Sequence, residues 1–268
     1  QNLRDHPAIV VAAHLRQPYM QDPGLRPNLH MALRYSSGIE GCQTGDMYLS
    51  VINKTTWHPL GQRIGSFNIC LHKPYSIGQL TLRKDDPHNA SPLIEFNALS
   101  DHRDYERMRE AVLLCGELLS HETVRPLYNQ SFGASFSERV QRLNRHTRLN
   151  WLLSCVGAMA LDGPRWLREY LFEHAVKLGP SLDRILTEPE LCESWIRHDV
   201  TGFFHPSGTC RIGPADNPNS VVDSNGKVHG VEGIRVVDAS IMPTLIRAPT
   251  NITTIMMAEK IADHLSAP

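Results

Sequence analysis

The protein is a chain of 268 residues with a formal net charge of -1, of which 41% are hydrophobic and 21% charged. These proportions are those of an ordinary globular protein, and the length is enough for one large domain or two smaller ones. The near-zero charge argues against nucleic acid or an anionic membrane as a partner, since both select clustered Lys and Arg. No apolar run approaches the roughly 20 residues of a membrane-spanning helix, so no such helix is expected.

Cysteines and histidines show no metal-binding pattern. The six cysteines include no Cys-x-x-Cys pair, and the fourteen histidines are dispersed without a His-Glu-x-x-His motif. We therefore expect reduced thiols, a cytoplasmic protein and no metal site. The chain starts at Gln1, without a methionine or a signal peptide. This start predicts a fragment or one piece of a nicked protein, with any targeting signal upstream.

The first hundred residues predict β-strands in close succession. The predicted strands are rich in Val, Ile and Leu and are separated by Pro, Gly, Asn and Asp. They are Ala8–Leu15, Leu29–Ser36, Met47–Asn53, Ile64–Leu71 and Gln79–Arg83. Because no long helical pattern separates them, they predict an antiparallel sheet.

Helical periodicity replaces the strand pattern after Asp101. Apolar residues recur every three or four positions from Met108 to Leu119, which predicts one amphipathic helix. Further helices are predicted at Phe136–Asn144, Trp166–Leu178 and Glu188–His198. The aromatic side chains of this region are expected to pack in the core. They are Trp151, Trp166, Tyr170 and Trp195. Strands followed by helices predict the α+β class.

The last part of the chain predicts a loop, two short strands and a final helix. Phe203–Gly213 carries Gly and Pro and is a predicted loop, whereas Val221–Asp223 and Gly233–Asp238 are predicted strands, the second of them buried. A turn at Met242-Pro243 precedes the final helix. Its predicted apolar stripe consists of Ile255, Ala258, Ala262 and Leu265.

His205 is the first candidate for chemistry. A single loop histidine is usually a polar residue with a satisfied hydrogen bond, but here Pro206 restricts its backbone and Gly208 permits close approach to a ligand. An imidazole with its ordinary pKa of about 6.5 accepts protons near neutral pH. The sequence therefore leaves a structural and a catalytic role open for His205.

Asp238 is the second candidate. It ends the predicted strand Gly233–Asp238 and precedes Ala239 and Ser240. Its carboxylate either caps the next turn or accepts a hydrogen bond from a hydroxyl-bearing cofactor that crosses the strand end.

The start of the final helix is the third candidate. Thr250 and Asn251 occupy the positions where an N-cap is needed. A helix N-terminus presents free N–H groups and a partial positive charge. It is either an ordinary capped helix or a support for negative charge on a reduced flavin.

The three sites, taken in this order, resemble the C-terminal signature of the glucose–methanol–choline oxidoreductases. The resemblance covers essentially the whole chain, and its most specific element is His205-Pro206-x-Gly208-Thr209-Cys210-Arg211-Ile212-Gly213. The other matching segments are Asn2-Leu3-x-Asp5-His6-Pro7, Lys73-Pro74-Tyr75-Ser76-Ile77-Gly78, Pro92-Leu93-Ile94 with Asn97 and Asp104, Val228-His229-Gly230-Val231, and Arg235-Val236-Val237-Asp238-Ala239-Ser240-Ile241-Met242-Pro243.

The resemblance implies an FAD-dependent enzyme that oxidises an alcohol by hydride transfer to flavin N5. It aligns His205 with the family's catalytic histidine, here the general base. It aligns Asp238 and Ala239 with residues along the flavin's ribityl chain, and Thr250 and Asn251 with the backbone that meets the isoalloxazine ring. It also implies a substrate-binding cap domain at residues 1–200 and a segment at 201–268 that returns to the FAD-binding domain.

Two features depart from the family pattern. No Gly-x-Gly-x-x-Gly motif occurs, so the dinucleotide-binding part is absent from this chain and its other half or a separate chain is the expected partner. The family's second His or Asn corresponds to Pro249, which has neither a polar side chain nor an N–H. Either His205 works alone or Asn251 or a cap-sheet side chain takes over; a proline here is similar to the pyridoxine-oxidising branch.

Three hypotheses follow from the resemblance. The first is an alcohol oxidase or dehydrogenase that acts on a small-molecule alcohol. The second is a lyase of the hydroxynitrile type, which keeps FAD without redox turnover. The third is a non-catalytic substrate-domain fragment or subunit.

Overall fold

The computed structural model describes residues 2–22, 24–86, 90–135, 138–171 and 179–266. Its strands are β1 (Pro7–Leu15), β2 (Leu29–Tyr35), β3 (Met47–Ile52), β4 (Ile64–Leu71), β5 (Gln79–Thr81), β6 (Leu93–Glu95), β7 (Tyr128–Ala134) and β8 (Thr201–Gly202). Its helices are α1 (His102–Ser120), α2 (Glu138–Leu143), α3 (Arg148–Leu161), α4 (Arg165–Tyr170), α5 (Leu182–Thr187), α6 (Pro189–Asp199) and α7 (Thr250–Ser266).

The main sheet is antiparallel, with strand order β2-β3-β4-β1-β7, and β8 also pairs with β1. β1 is central, and its Ala12 lies opposite Ser66 of β4 on one side and Phe132 of β7 on the other. β8 pairs with the beginning of β1, where Pro7 lies opposite Gly202. β5 and β6 form a separate hairpin-like pair. The predicted antiparallel sheet is confirmed.

Alternation along β1 gives the sheet two different faces. Ile9, Val11 and Ala13 point to the main core, where they pack with Met108 and Val112 of α1. α5 and α6 contribute to the same core. On the other face, Ala12 joins Ile64, Phe132 and Leu161 in a smaller cluster.

A third cluster lies in the C-terminal part of the chain. It contains Val222, Ile241 and Ile261, with residues such as Val236 and Val237 packed around them. All residues of the first two clusters precede residue 201, and all residues of the third follow it. The boundary between residues 1–200 and 201–268 stays a prediction, and β8 pairs with β1 across it.

Arg107 of α1 forms a fully buried ion-pair network. Its guanidinium donates to Asp46 at 3.0 Å and also to Asp104, and all three side chains have 0% exposure. The carboxylate of Asp104 accepts in turn from the backbone N–H groups of Tyr75 and Ser76. The network therefore attaches the Lys73–Gly78 motif to α1, which explains in physical terms why that motif and Asp104 occur together.

Several predictions for the helical region are wrong. Of the aromatic residues expected in the core only Trp195 is buried, whereas Trp151, Trp166 and Tyr170 are exposed, Trp166 by 69%. Trp151 lies on α3, a helix that the sequence pattern did not predict. α3 packs through Ser154, Ala158 and Leu161, and Trp151 is on its exposed side. α4 ends at Tyr170, and residues 172–178 of the predicted helix lie outside the described residues, as do residues 136 and 137.

The C-terminal predictions also need correction. Gly233–Asp238 is neither a strand nor buried, because it forms a single bridge between Arg235 and Lys227. Val221–Asp223 is likewise limited to isolated bridges at Val222. In α7 the buried positions are Thr250 and Ile261, whereas three members of the predicted stripe, Ile255, Ala262 and Leu265, are exposed. No helix within the described part of the chain is both long and apolar enough to cross a bilayer.

Candidate active site

The site is built where the start of the chain lies against the segment that follows β8. The backbone of Arg4 exchanges two hydrogen bonds with that of Ser207, at 3.0 and 2.9 Å. The N–H of Phe203 donates to the carbonyl of His6 at 2.9 Å. This antiparallel pairing places His6, just before β1, directly beside His205.

The imidazoles of His6 and His205 are in direct contact. Their Nδ1 atoms are 2.8 Å apart, and the rings meet edge to face at 87°. One oxygen of Asp5 accepts from the backbone N–H of His6 at 2.7 Å and from that of His205 at 2.9 Å. The carboxylate of Asp5 thus holds the backbones of both histidines in place. Phe204, between the strand and His205, has a φ of 60° and is 86% exposed.

Burial keeps these histidines neutral. Desolvation lowers the pKa of His6 to about 3 and that of His72, whose ring lies 5.0 Å from His6, to about 4. It also lowers the pKa of His205, although the charge of Asp5 partly opposes this. His205 is therefore neutral at neutral pH, with one ring nitrogen free of a proton, as a general base must be.

The segment around Asp238 and Ala239 lies against the His205 loop. The N–H of Gly208 donates to the carbonyl of Ala239 at 3.3 Å, and that of Cys210 donates to the carbonyl of Ser240 at 2.9 Å. The two most specific motifs of the chain are therefore adjacent. Gly208 has a φ of +83°, and a Cβ there would come within 2.8 Å of Asn2. Asp238 is exposed and accepts from the N–H of Ser240 at 2.8 Å, so it does cap the turn that follows.

Residues 245–247, which lead to α7, are held by three successive backbone carbonyl groups that accept hydrogen bonds from side chains on or next to the strands of the main sheet. Leu245 accepts from the ammonium of Lys73 at 2.6 Å, Ile246 from His6 at 2.8 Å, and Arg247 from Arg34 at 2.6 Å. These bonds bring the beginning of α7 close to the histidine pair. Thr250 and Asn251 are the first helical residues rather than caps, with Thr250 buried and Asn251 exposed. The first turn of α7 contains no acidic residue.

A cavity of about 310 Å³ lies on the face of the sheet opposite α1. Its lining is mainly apolar and includes Ala12, Phe132 and Leu143, with polar groups from Asn68 and His58. Thr201 of β8 also lines it and precedes His205 by four residues. The strand that leads to His205 therefore starts at this cavity.

Asp5, His6 and His72 were not identified as site residues from the sequence. Asp5 and His6 belong to a sequence motif, but their closeness to His205 depends on pairing between chain segments about 200 residues apart. The available signal was a His-Pro dipeptide directly before the first strand, which matches the His-Pro dipeptide at His205.

Buried neutral histidines make the stability of the protein sensitive to acid. The pKa of His6 is lowered to about 3, and those of His14 and His72 to about 4. Between pH 6.5 and 4 the unfolded chain therefore binds more protons than the folded one, and the free energy of unfolding falls as the pH falls. We expect urea unfolding to show this loss, with a smaller slope in His72→Phe, which preserves ring stacking on Tyr48. The exposed His198→Gln is the control; an unchanged slope in His72→Phe would contradict the assignment.

Comparison with known proteins identifies the family. The family model for GMC oxidoreductase matches residues 74–258, which include the His205 loop, Asp238 and the first half of α7. The chain belongs to the GMC oxidoreductase family. Membership confirms the resemblance seen in the motifs, and FAD is the cofactor of this family.

Relatives of the GMC chain include enzymes with different substrates. It is 32% identical over 268 residues to 5-(hydroxymethyl)furfural oxidase from Methylovorus sp. strain MP688. That alignment covers 99% of this chain and 43% of the relative. It is also 33% identical over 190 residues to oxygen-dependent choline dehydrogenase from Ectopseudomonas mendocina strain ymp. This second alignment covers 71% of this chain and 25% of the relative. The chain thus spans less than half the length of these relatives.

Solved structures agree with the GMC fold. Pyridoxine 4-oxidase from Mesorbium loti superimposes with a TM-score of 0.63 at 18% identity, over 98% of this chain and 42% of that protein. A formate oxidase from Aspergillus oryzae RIB40, analysed for its FAD modification, gives a TM-score of 0.67 at 18% identity, over 98% of this chain and 46% of that protein. The α+β fold expected from the motifs is confirmed.

The residues around the histidine pair fit a polar cofactor. Three buried atoms there have no hydrogen-bond partner within the described residues: Nδ1 of His72, Oγ of Ser207 and Nε of Arg247. Buried polar groups in folded proteins are normally paired, so these atoms are available to a ligand. The first turn of α7 contains no acidic residue, and a helix N-terminus presents N–H groups that favour an anion.

Proposed function

We propose that this chain is the substrate-binding part of an FAD-dependent alcohol oxidase or dehydrogenase in which His205 is the general base. The observation that carries the proposal is the position of His205. It is half-buried and neutral, its ring is in contact with that of His6, and its loop is hydrogen-bonded to Arg4 and to the Ala239–Ser240 segment. Bound FAD supplies the hydride acceptor for the oxidation.

His205 has the properties that removal of a hydroxyl proton requires. Its backbone is held by Asp5, and Phe203 packs edge-on against its ring at 5.4 Å. The carboxylate of Asp5 is not in contact with the ring nitrogens, but its charge stabilises the imidazolium that forms once the proton has been accepted. A positioned base of this kind typically contributes about 10² to 10⁴ to the rate.

Residues 201–268 are proposed to complete a flavin-binding domain whose other part is absent from this chain. Their separate hydrophobic cluster, centred on Val222, Ile241 and Ile261, supports this division. Asp238 and Ala239 are proposed to line the ribityl chain, since they lie next to Gly208 in the His205 loop. Thr250 and Asn251, at the start of α7, are proposed to meet the isoalloxazine ring. The partner is then the dinucleotide-binding half, as part of the same protein or as a second chain.

The cavity favours an alcohol with an uncharged organic group. Its lining is mainly apolar, with Phe132 and His58 as its rings. A quaternary ammonium group is usually held in a cage of several aromatic rings, whereas this lining has two rings and the carboxylate of Asp199. We therefore propose a hydroxymethyl group on a ring or an apolar chain as the substrate class, rather than choline.

Anaerobic reduction of the flavin tests the proposed function. The flavin-loaded protein is mixed without oxygen with 5-(hydroxymethyl)furfural, pyridoxine, an aryl alcohol and choline in parallel. We expect the oxidised-flavin absorbance to disappear with at least one ring-bearing alcohol and to persist with choline. A flavin that stays oxidised with every alcohol, while the protein cleaves a cyanohydrin, would replace the oxidase proposal with a lyase.

A further inference from the structure

His6 has a single possible protonation state in this site. Its side chain is fully buried, and its Nε2 lies 2.8 Å from the carbonyl oxygen of Ile246. A carbonyl only accepts hydrogen bonds, so Nε2 of His6 must carry the proton. A neutral imidazole has one N–H, and burial lowers the pKa of His6 to about 3. Its Nδ1 therefore carries a lone pair and can only accept.

That lone pair determines the proton on His205. The Nδ1 atoms of the two rings are 2.8 Å apart, and two unprotonated nitrogens at that distance would repel each other. Nδ1 of His205 must therefore donate to Nδ1 of His6. Neutral His205 then has its own lone pair on Nε2, for which the described part of the chain provides no hydrogen-bond partner.

We propose that His6 is a positioning residue that selects the tautomer of His205 and so makes Nε2 the basic atom. The inference rests on the proposed function of His205 as base. In the step it serves, the alcohol O–H bond breaks, the proton moves to the lone pair of Nε2, and the oxygen keeps the electron pair. The His205 Nδ1–H continues to donate to His6 after Nε2 is protonated.

His6 itself is not the base. Both of its ring nitrogens are already used, one by Ile246 and the other by His205, and its side chain is fully buried. The contact with His6 also explains how the site works without a polar side chain at position 249. Nδ1 of His6 orients the ring of His205 in place of a residue at Pro249. A backbone carbonyl, which does not titrate, fixes the orientation of His6 in turn.

Two amide substitutions separate tautomer control from packing. In His6→Asn the side-chain oxygen takes the place of Nδ1 and still accepts from His205. In His6→Gln the amide reaches the place of Nε2, and no acceptor remains beside His205. We expect His6→Gln to lower kcat about tenfold with little change in KM, the equivalent of one hydrogen bond of about 1.4 kcal/mol. His6→Asn is expected to restore most of the loss.

Nitrogen NMR of the histidine side chains gives a second readout that does not depend on turnover. In the flavin-loaded wild-type protein, labelled with ¹⁵N-histidine, His205 is expected to show a protonated Nδ1 and an unprotonated Nε2. In His6→Gln both tautomers should be populated. A wild-type His205 with its proton on Nε2, or equal losses of kcat in His6→Asn and His6→Gln, would overturn the proposal.

The two readouts also separate this inference from the proposed function. If His205→Ala retained full turnover while the NMR tautomer assignment held, the base assignment would fail and the contact between the two histidines would remain correct. If His205→Ala lost turnover while wild-type His205 carried its proton on Nε2, the base assignment would hold and the role of His6 would be wrong.

Discussion

Replacing His205 with alanine is expected to lower kcat by about two to four orders of magnitude in the flavin-loaded protein. The substitution removes the unprotonated nitrogen that would accept the hydroxyl proton, and no other histidine at the site can take its place. His6 and His72 are buried, and desolvation lowers their pKa values to about 3 and 4, which makes both of them weak bases. The measurement is the rate of anaerobic flavin reduction by the best alcohol from the substrate panel.

The matched control for this substitution is His198→Ala. His198 lies in the last turn of α6, seven residues earlier, and its side chain is 82% exposed. We expect its kcat to stay within about twofold of the wild type, the usual range for a surface change. Flavin content should be unchanged in both variants. A His205→Ala protein that keeps its flavin and reduces it at the wild-type rate would refute the assignment of the base.

Replacing Arg107 with methionine is expected to lower the free energy of unfolding by about 3–5 kcal/mol. Methionine fills much of the same volume, but the change leaves the carboxylates of Asp46 and Asp104 fully buried without their counter-charge. It also removes the hydrogen bond from Arg107 to the carbonyl of Lys73 at 2.9 Å. Urea unfolding of the flavin-loaded protein gives the measurement.

Arg109→Met on the same helix is the control for Arg107. Arg109 forms an ion pair with Glu110 in which both side chains are nearly half exposed, and exposed pairs of this kind contribute little. The expected change is below about 0.5 kcal/mol. Similar losses for Arg107→Met and Arg109→Met would show that the buried network does not contribute as described.

The sheet could be predicted because its strands carry local signals. All five strands predicted in the first hundred residues agree with the structure to within about two residues, since apolar runs between turn residues report directly on strand structure. β7 was missed because Tyr128–Ala134 contains Asn129, Gln130, Ser131 and Gly133, which are not typical of strands. Its structure depends on pairing with β1, a tertiary effect that a local pattern does not contain.

Helix faces were harder to predict, because composition alone does not say which side of a helix is covered. α3 has Leu152, Val156 and Met159 on its exposed side and Ser154 and Ala158 on its covered side. An amphipathic pattern would have indicated the reverse. α7 shows the same difficulty, with Ile255 exposed and Thr250 buried.

The candidate site was predictable only in part. His205 and Asp238 could be singled out because each belongs to a local motif with Gly or Pro, and the structure places their segments side by side. Their roles toward substrate and flavin remain predictions. The contribution of Asp5 and His6 could not be derived, because it depends on a pairing of segments about 200 residues apart that only the folded structure shows.

The pairing of residues 4–7 with residues 202–207 gives the site an unusual place in the folding reaction. The contact between His6 and His205 closes a loop of 199 residues, whereas β3 and β4 pair across a short connection. Contacts of large sequence separation form slowly, because the entropy of closing the intervening chain is lost before any contact energy is gained. β2, β3 and β4 are therefore expected to pair before the histidine contact forms, so that the geometry of the candidate site is acquired late in folding and is lost early in partial unfolding.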